Sequence, residues 1–240
     1  MKTTKIVTSA IVLTTLGLIA APAVNAATVG SLPTKGSVGF TDNTDPTGPV
    51  DPTDPTDPVD PTDPPINPGT NGPLSLDYVS NFDFGSKNKV SGSDTTYYAA
   101  PVEITDSKGT AKEVANYLQV TDNRGSNAGW TVNVKQEGAF TDGTKELTGA
   151  QLSMKDQTFN STNMDDVTTP AIAGTVAPTV GSDVKVVTAN DGQGMGTWTD
   201  SFGKDAAAKA VALTVPGKTA KNLNSTYTTD LTWTLTDANI

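Results

Sequence analysis

The chain has 240 residues, 35% of them hydrophobic and 6% aromatic, with 22 Gly, 16 Pro, no Cys and no His. That composition points to strands, turns and linker rather than a helical bundle. It excludes Cys-His or Ser-His-Asp catalysis, zinc sites of the usual ligand types, haem and iron–sulfur centres and disulfide scaffolds. A net charge of -10 sets the chain against nucleic acid and anionic membrane surfaces.

In chain order, Met1 to Lys5 is a short basic start, Ile6 to Ile19 an apolar run, and Ala20 to Ala26 a stretch of small residues with Val24 and Ala26 placed for cleavage. This predicts a secretory signal peptide over residues 1–26. The apolar run is shorter than the roughly 20 residues that span a bilayer. No second such run follows, so the mature chain is expected to have no membrane span. There is no sortase-type terminal signal and no lipidation cysteine, which predicts a secreted, extracellular protein held at a surface non-covalently.

Residues 27–73 read as a disordered, Pro/Asp-rich spacer. Pro46, Pro49, Pro52, Pro55, Pro58, Pro61 and Pro64 recur every third residue, the repeat of a polyproline II helix, with aspartates on another edge. A chain starting at Leu74 is therefore expected to fold and bind like the mature protein. The aspartates lack the Gly turn and bidentate Glu of a calcium loop, so no metal site is expected.

Residues 74–240 are the segment able to bury a core. Apolar alternation marks strands at Leu74–Tyr78, Ala100–Ile104, Tyr117–Val120, Trp130–Val134, Asp183–Val187, Val211–Val215 and Tyr227–Leu235, separated by Gly, Asn, Asp and Pro clusters. The expected fold is all-β, an antiparallel β-sandwich or barrel. Thr110–Tyr117 and Lys204–Ala212 also have the composition of short helices.

Two tripeptides stand out, Trp130-Thr131-Val132 and Trp233-Thr234-Leu235. In each, the indole and the aliphatic side chain share one strand face. In the second strand Tyr227, Leu231, Trp233 and Leu235 lie on one face and threonines on the other. Each Trp can be core, a platform for sugar rings, or an anchor for a partner protein. Arg124, the only arginine, can hold a ligand carboxylate or pair with Asp122. The four glutamates Glu103, Glu113, Glu137 and Glu146 and the Asp165-Asp166 turn offer no marked acid pair, so no catalytic residue and no cofactor is expected.

The order of blocks carries a resemblance. Leu74 to Gly85, Tyr117 to Val132, Gly194-Met-Gly-Thr-Trp198, Thr214-Val-Pro216 and Tyr227 to Asp237 together resemble the WxL domain of surface proteins of low-GC Gram-positive bacteria. Val132 stands where Leu is usual, and the tail ends Asp-Ala-Asn-Ile240. The resemblance implies cell-wall attachment through peptidoglycan, alongside co-encoded WxL-interacting surface proteins. It makes Trp130, Thr131, Val132, Trp233, Thr234 and Leu235 the binding motif, with Arg124, Trp198 and Tyr227 in support. The alternative is an adhesin or structural subunit of a surface complex, docking a partner protein through this domain.

Overall fold

A strand with alternating apolar side chains is stable only when a second layer covers its apolar face, and this chain supplies that layer from its own later strands. The computed structural model describes residues 30–61, 68–164 and 168–237. The chain divides into Met1–Phe40 and Thr41–Ile240. In the first unit, residues 30–40 are exposed and carry no regular element. The signal peptide expected at 1–26, residues 62–67 of the Pro/Asp tract and Asp165-Asp166 lie outside the described residues.

In the second unit the described strands are β1 (Val50–Asp51), β2 (Asp54–Pro58), β3 (Asp60–Pro61), β4 (Leu74–Val79), β5 (Thr95–Tyr98), β6 (Val102–Thr105), β7 (Ala111–Val114) and β8 (Tyr117–Asp122). They continue as β9 (Trp130–Gln136), β10 (Gln151–Met154), β11 (Gln157–Ser161), β12 (Ala171–Ile172), β13 (Asp183–Ala189), β14 (Gly196–Phe202), β15 (Val211–Val215) and β16 (Leu231–Asp237). All their pairings are antiparallel. Two four-stranded sheets, ordered β11-β14-β8-β4 and β12-β13-β9-β16, and a three-stranded sheet, β10-β15-β5, share one apolar core. Leu118, Val120, Trp198 and Phe202 enter it from the first sheet, Trp130, Val132 and Val134 from the second, and Leu152, Met154 and Leu213 from the third. The fold is all-β and antiparallel, built as a sandwich.

The two segments with helical composition form no helix. Ala111–Val114 pairs with β6, because Asp106 nucleates the turn between them: its carboxylate accepts Lys108 N–H at 2.9 Å and Thr110 N–H at 2.7 Å, and Gly109 sits at φ 81°. The alanines before β15 lie in a turn whose Asp205 accepts the N–H of Ala207 at 2.9 Å. Strands β5, β10, β11 and β14 escaped the alternation reading. Some of their inward positions are polar, as with Gln157 and Asp200, which bond to each other.

The Pro/Asp tract also departs from expectation. Residues 49–61 form a strap lying on the domain instead of a free spacer. Asp51 is 1% exposed, β3 pairs with β6, and Val59 packs against Tyr78, Ile104 and Tyr117 in a second apolar cluster. Two of the Asp-Pro-Thr units fold on themselves: Asp51 accepts Thr53 N–H at 2.8 Å and its hydroxyl at 2.7 Å, and Asp54 does the same for Thr56 at 3.2 and 2.6 Å. These local bonds close a turn at Pro52-Thr53, so β1 and β2 make a hairpin where the threefold proline spacing suggested a straight rod. A chain starting at Leu74 loses Val59 and the bonds that hold the strap. It is expected to be less stable than one starting at Gly48 by about 2–4 kcal/mol, measured by urea titration. Equal midpoints for the two would mean the strap does not stabilise the domain.

Candidate functional site

The two Trp-x-aliphatic tripeptides, about a hundred residues apart, become neighbours because β16 pairs with β9. Leu235 sits opposite Val132, Trp233 opposite Val134, and Asp237 opposite Trp130. Antiparallel partners share a face, so all the motif's apolar side chains point inward. They do not share an environment. Trp130 is 1% exposed, Val132 is fully buried, and β9 is covered on both edges by β13 and β16. Trp233 and Leu235 are half-buried because β16 is an edge strand.

Trp130 is locked in place. Its Nε1 donates to Gly194 O at 3.0 Å, and a Cβ on Gly194, at φ 77°, would come within 2.6 Å of that nitrogen. Gly129 is held as tightly, since a Cβ there would meet the Ala189 carbonyl oxygen at 2.3 Å. The Gly-Met-Gly block at 194–196 thus closes over the first tryptophan. Trp198 is also core, 1% exposed, with Nε1 donating to Met195 O at 3.0 Å and Phe159 edge-on to its ring. Thr131 and Thr234 face away from the core, where Thr236 Oγ1 donates to Thr131 O at 3.2 Å.

Arg124 is fully engaged within the chain. Its Nε donates to Asp122 Oδ1 at 2.9 Å and Nη2 to Asp122 Oδ2 at 2.7 Å. Nη2 also donates to Gly129 O at 2.7 Å, and Nη1 pairs with Asp237 at 2.8 Å. These bonds hold its pKa above the usual arginine value, the Asp122 hydrogen bond contributing most. One guanidinium therefore ties the end of β8 to the start of β9 and the end of β16, and so braces both tripeptides.

The accessible aromatic surface of the motif lies on Trp233. Its ring is 6.5 Å from that of Phe82 and 6.4 Å from that of Phe202. Phe82, Phe84, Phe140, Asp230, Leu231 and Trp233 line a cavity of about 270 Å³. Beside it a groove of about 980 Å³ runs between residues 81–90 and 221–229. Tyr227 sits there, its hydroxyl accepting the N–H of Asn222 at 2.8 Å. Lys87, Lys89 and Lys221 line the groove together with Asp83, a local excess of positive charge on an acidic chain. Lys221 Nζ is engaged by the Thr219 carbonyl at 2.9 Å, while Asp83 accepts Gly85 N–H at 2.7 Å.

The structure thus brings Tyr227 and Trp233 together on one side of the domain and places Trp130, Val132 and Trp198 in the core. Phe82, Phe84, Lys87 and Lys89 were not singled out from the sequence. The Asn-Phe-Asp-Phe-Gly stretch at 81–85 was visible as part of a block, but nothing local says that it folds across to meet Trp233. Among the described residues no cluster of three acidic side chains is placed to hold a metal ion.

Compared with known proteins, residues 27–238 match the model of a family described as WxL domain surface cell wall-binding. No curated protein and no solved structure matches the chain.

Proposed function

The chain belongs to the WxL domain surface cell wall-binding family, and from that premise we propose that it is an exported, non-catalytic protein whose domain docks on peptidoglycan through the groove beside Trp233. The reading rests on one observation: of the two tripeptide tryptophans, Trp233 alone is accessible, and it stands next to a groove that combines aromatic rings with lysines. Sugar rings stack on aromatic faces, and the peptide stems of the wall carry carboxylates that Lys87 and Lys89 can meet. The groove also supplies enough concave surface for a chain of sugar rings to lie along it. The half-buried edge position suits the task, because a ring locked into the core cannot be offered to a ligand. Docking of this kind needs no covalent bond, in keeping with a leader peptide and no lipid-bearing cysteine.

The test is sedimentation with purified wall sacculi stripped of protein. The chain should co-sediment, and Lys87→Glu/Lys89→Glu should lower the bound fraction at least about ten-fold without altering thermal unfolding. Undiminished binding by that variant sinks the groove. A second reading has its own support: Val90 and Leu223, at 59% and 74% exposed, give the groove lining an apolar character suited to a partner protein. In that case bare sacculi fail to bind the chain at all.

A further inference from the structure

The outer face of the β11-β14-β8-β4 sheet is polar yet covered. Gln119 and Thr199, both fully buried, point away from the apolar core, and the strap lies across them. The sheet grips it as one would grip a peptide. Gln119 is fully buried, and its amide reads an extended backbone at both ends, donating to Gly48 O at 3.0 Å and accepting Val50 N–H at 2.7 Å. The same amide is oriented from behind by Asp77, whose Oδ2 accepts from Nε2 at 2.9 Å. Asn160 Nδ2 donates to Pro52 O at 3.1 Å, and Lys112 forms an ion pair with the buried Asp51. Two contacts to backbone carbonyls, one to a backbone N–H and one charge pair are the parts of a peptide-recognition site.

The ligand of that site is written twice in the chain. Residues 49–55 read Pro-Val-Asp-Pro-Thr-Asp-Pro, and residues 58–64 read the same seven residues again. The first copy occupies the face. The second copy begins at Pro58, paired with Val50, and sets Val59 on the Tyr78 cluster and Asp60-Pro61 against β6. We propose that this sheet face is a recognition site for a Pro-Val-Asp-Pro-Thr segment that enters extended and turns at Pro52-Thr53, and that a second copy of this chain can supply the segment in place of the chain's own. Exchange of one identical segment for another forms the same contacts in both states, so it costs little beyond association. The tethered segment holds the advantage of effective concentration, and exchange is therefore favoured where chains are crowded. The docked Asp51 must be an acid for Lys112 to select it, which fits a repeat that keeps Asp at that place in both copies.

A labelled peptide spanning residues 48–58 tests the site by fluorescence anisotropy. Full-length Asp51→Ala, whose own strap lacks the charge for Lys112, should bind the peptide at least ten-fold more tightly than the wild-type chain. Adding Lys112→Glu, at a side chain 41% exposed, should abolish that binding while cooperative unfolding is retained. On the wild-type chain, unlabelled peptide should displace the label and an Asp51→Asn peptide should not, which keeps the test decisive if Asp51→Ala fails to fold. Binding that survives Lys112→Glu, or no binding to either chain, overturns the site. For the second copy, a full-length Asp51→Ala/Asp60→Ala chain mixed with a Lys112→Glu chain should give a mixed complex by size exclusion that neither gives alone. A mixture that stays monomeric while the peptide binds overturns the exchange between copies.

Discussion

Replacing Arg124 with Ala should cost about 3–5 kcal/mol of stability, because it leaves Asp122 buried with its charge uncompensated. Asp122 is fully buried, and two of the arginine's hydrogen bonds go to its two carboxylate oxygens. Removing the cation also takes a hydrogen bond from Gly129 O and an ion pair from Asp237, so the start of β9 and the end of β16 lose their shared brace. Lysine keeps the charge but has no planar fork to reach Asp122, Gly129 and Asp237 at once, so Arg124→Lys should recover only part of the loss. Asp237→Asn should be milder, since that carboxylate is 38% exposed and water can replace the arginine. Urea unfolding at pH 7 measures all three. A loss below about 1 kcal/mol for Arg124→Ala would mean that Asp122 finds water or another donor when the arginine is gone.

The second large effect is on the pH dependence of stability. Asp200 lies on β14 among apolar side chains, 1% exposed, and Gln157 Nε2 donates to its Oδ2 at 2.5 Å. Burial raises its pKa from an ordinary 3.8 to about 8, and the Gln157 bond offsets only part of that. The folded chain therefore holds a proton on Asp200 that the unfolded chain releases above about pH 4. Stability from this group is fully present below the ordinary aspartate value and is lost as pH rises toward 8, at about 1.4 kcal/mol per pH unit. Asp77 acts in the same direction, its pKa raised by burial against the bonds from Ser75, Thr121 and Gln119. Asp54, Asp106, Asp142 and Glu137 are held low by hydrogen bonds and act the other way, losing their contribution only as pH falls below the carboxylate range. The stability maximum should thus fall near pH 4–5, acid for a folded protein. Asp200→Asn keeps the shape, cannot ionise, and should flatten most of the decline between pH 5 and 8 while raising the melting temperature at pH 7. Chemical denaturation at pH 5, 6, 7 and 8 reads this directly. A variant with the wild-type slope would place the titrating group elsewhere, with Asp77→Asn the next to measure.

Membership of the wall-binding family and the all-β fold were legible in the residues. So were the inward faces of β9 and β16. Trp130, Val132 and Val134 alternate with polar residues, as do Leu231, Trp233 and Leu235, and alternation on an extended chain assigns side chains to faces with no knowledge of the partner. The pairing of Arg124 with Asp122 was open to the same local reading, because two residues of separation in a turn bring the charges together.

What covers a face is a different question, and local pattern carries no information about it. Trp130 and Trp233 sit in similar tripeptides, yet one is closed over by Gly194 and the other stands at an edge, because β13 pairs with one side of β9 and, among the described residues, no strand follows β16 in the sheet. Gln119 looks like the solvent side of a half-buried strand and is buried, because a proline-rich segment some seventy residues earlier lies over it. That segment looked free because proline spacing reports the conformation of the strap and says nothing of the amide, carbonyl and charge that await it on the sheet. Asp200 looked like one aspartate among many until its strand was placed between two others. The sequence by itself determined which residues turn inward and which local bonds close the turns, since those follow from chain geometry within a few residues. Only the tertiary structure decided which inward faces are dry, which edge stays open and which carboxylates must hold a proton, because those depend on what distant segments exclude from water.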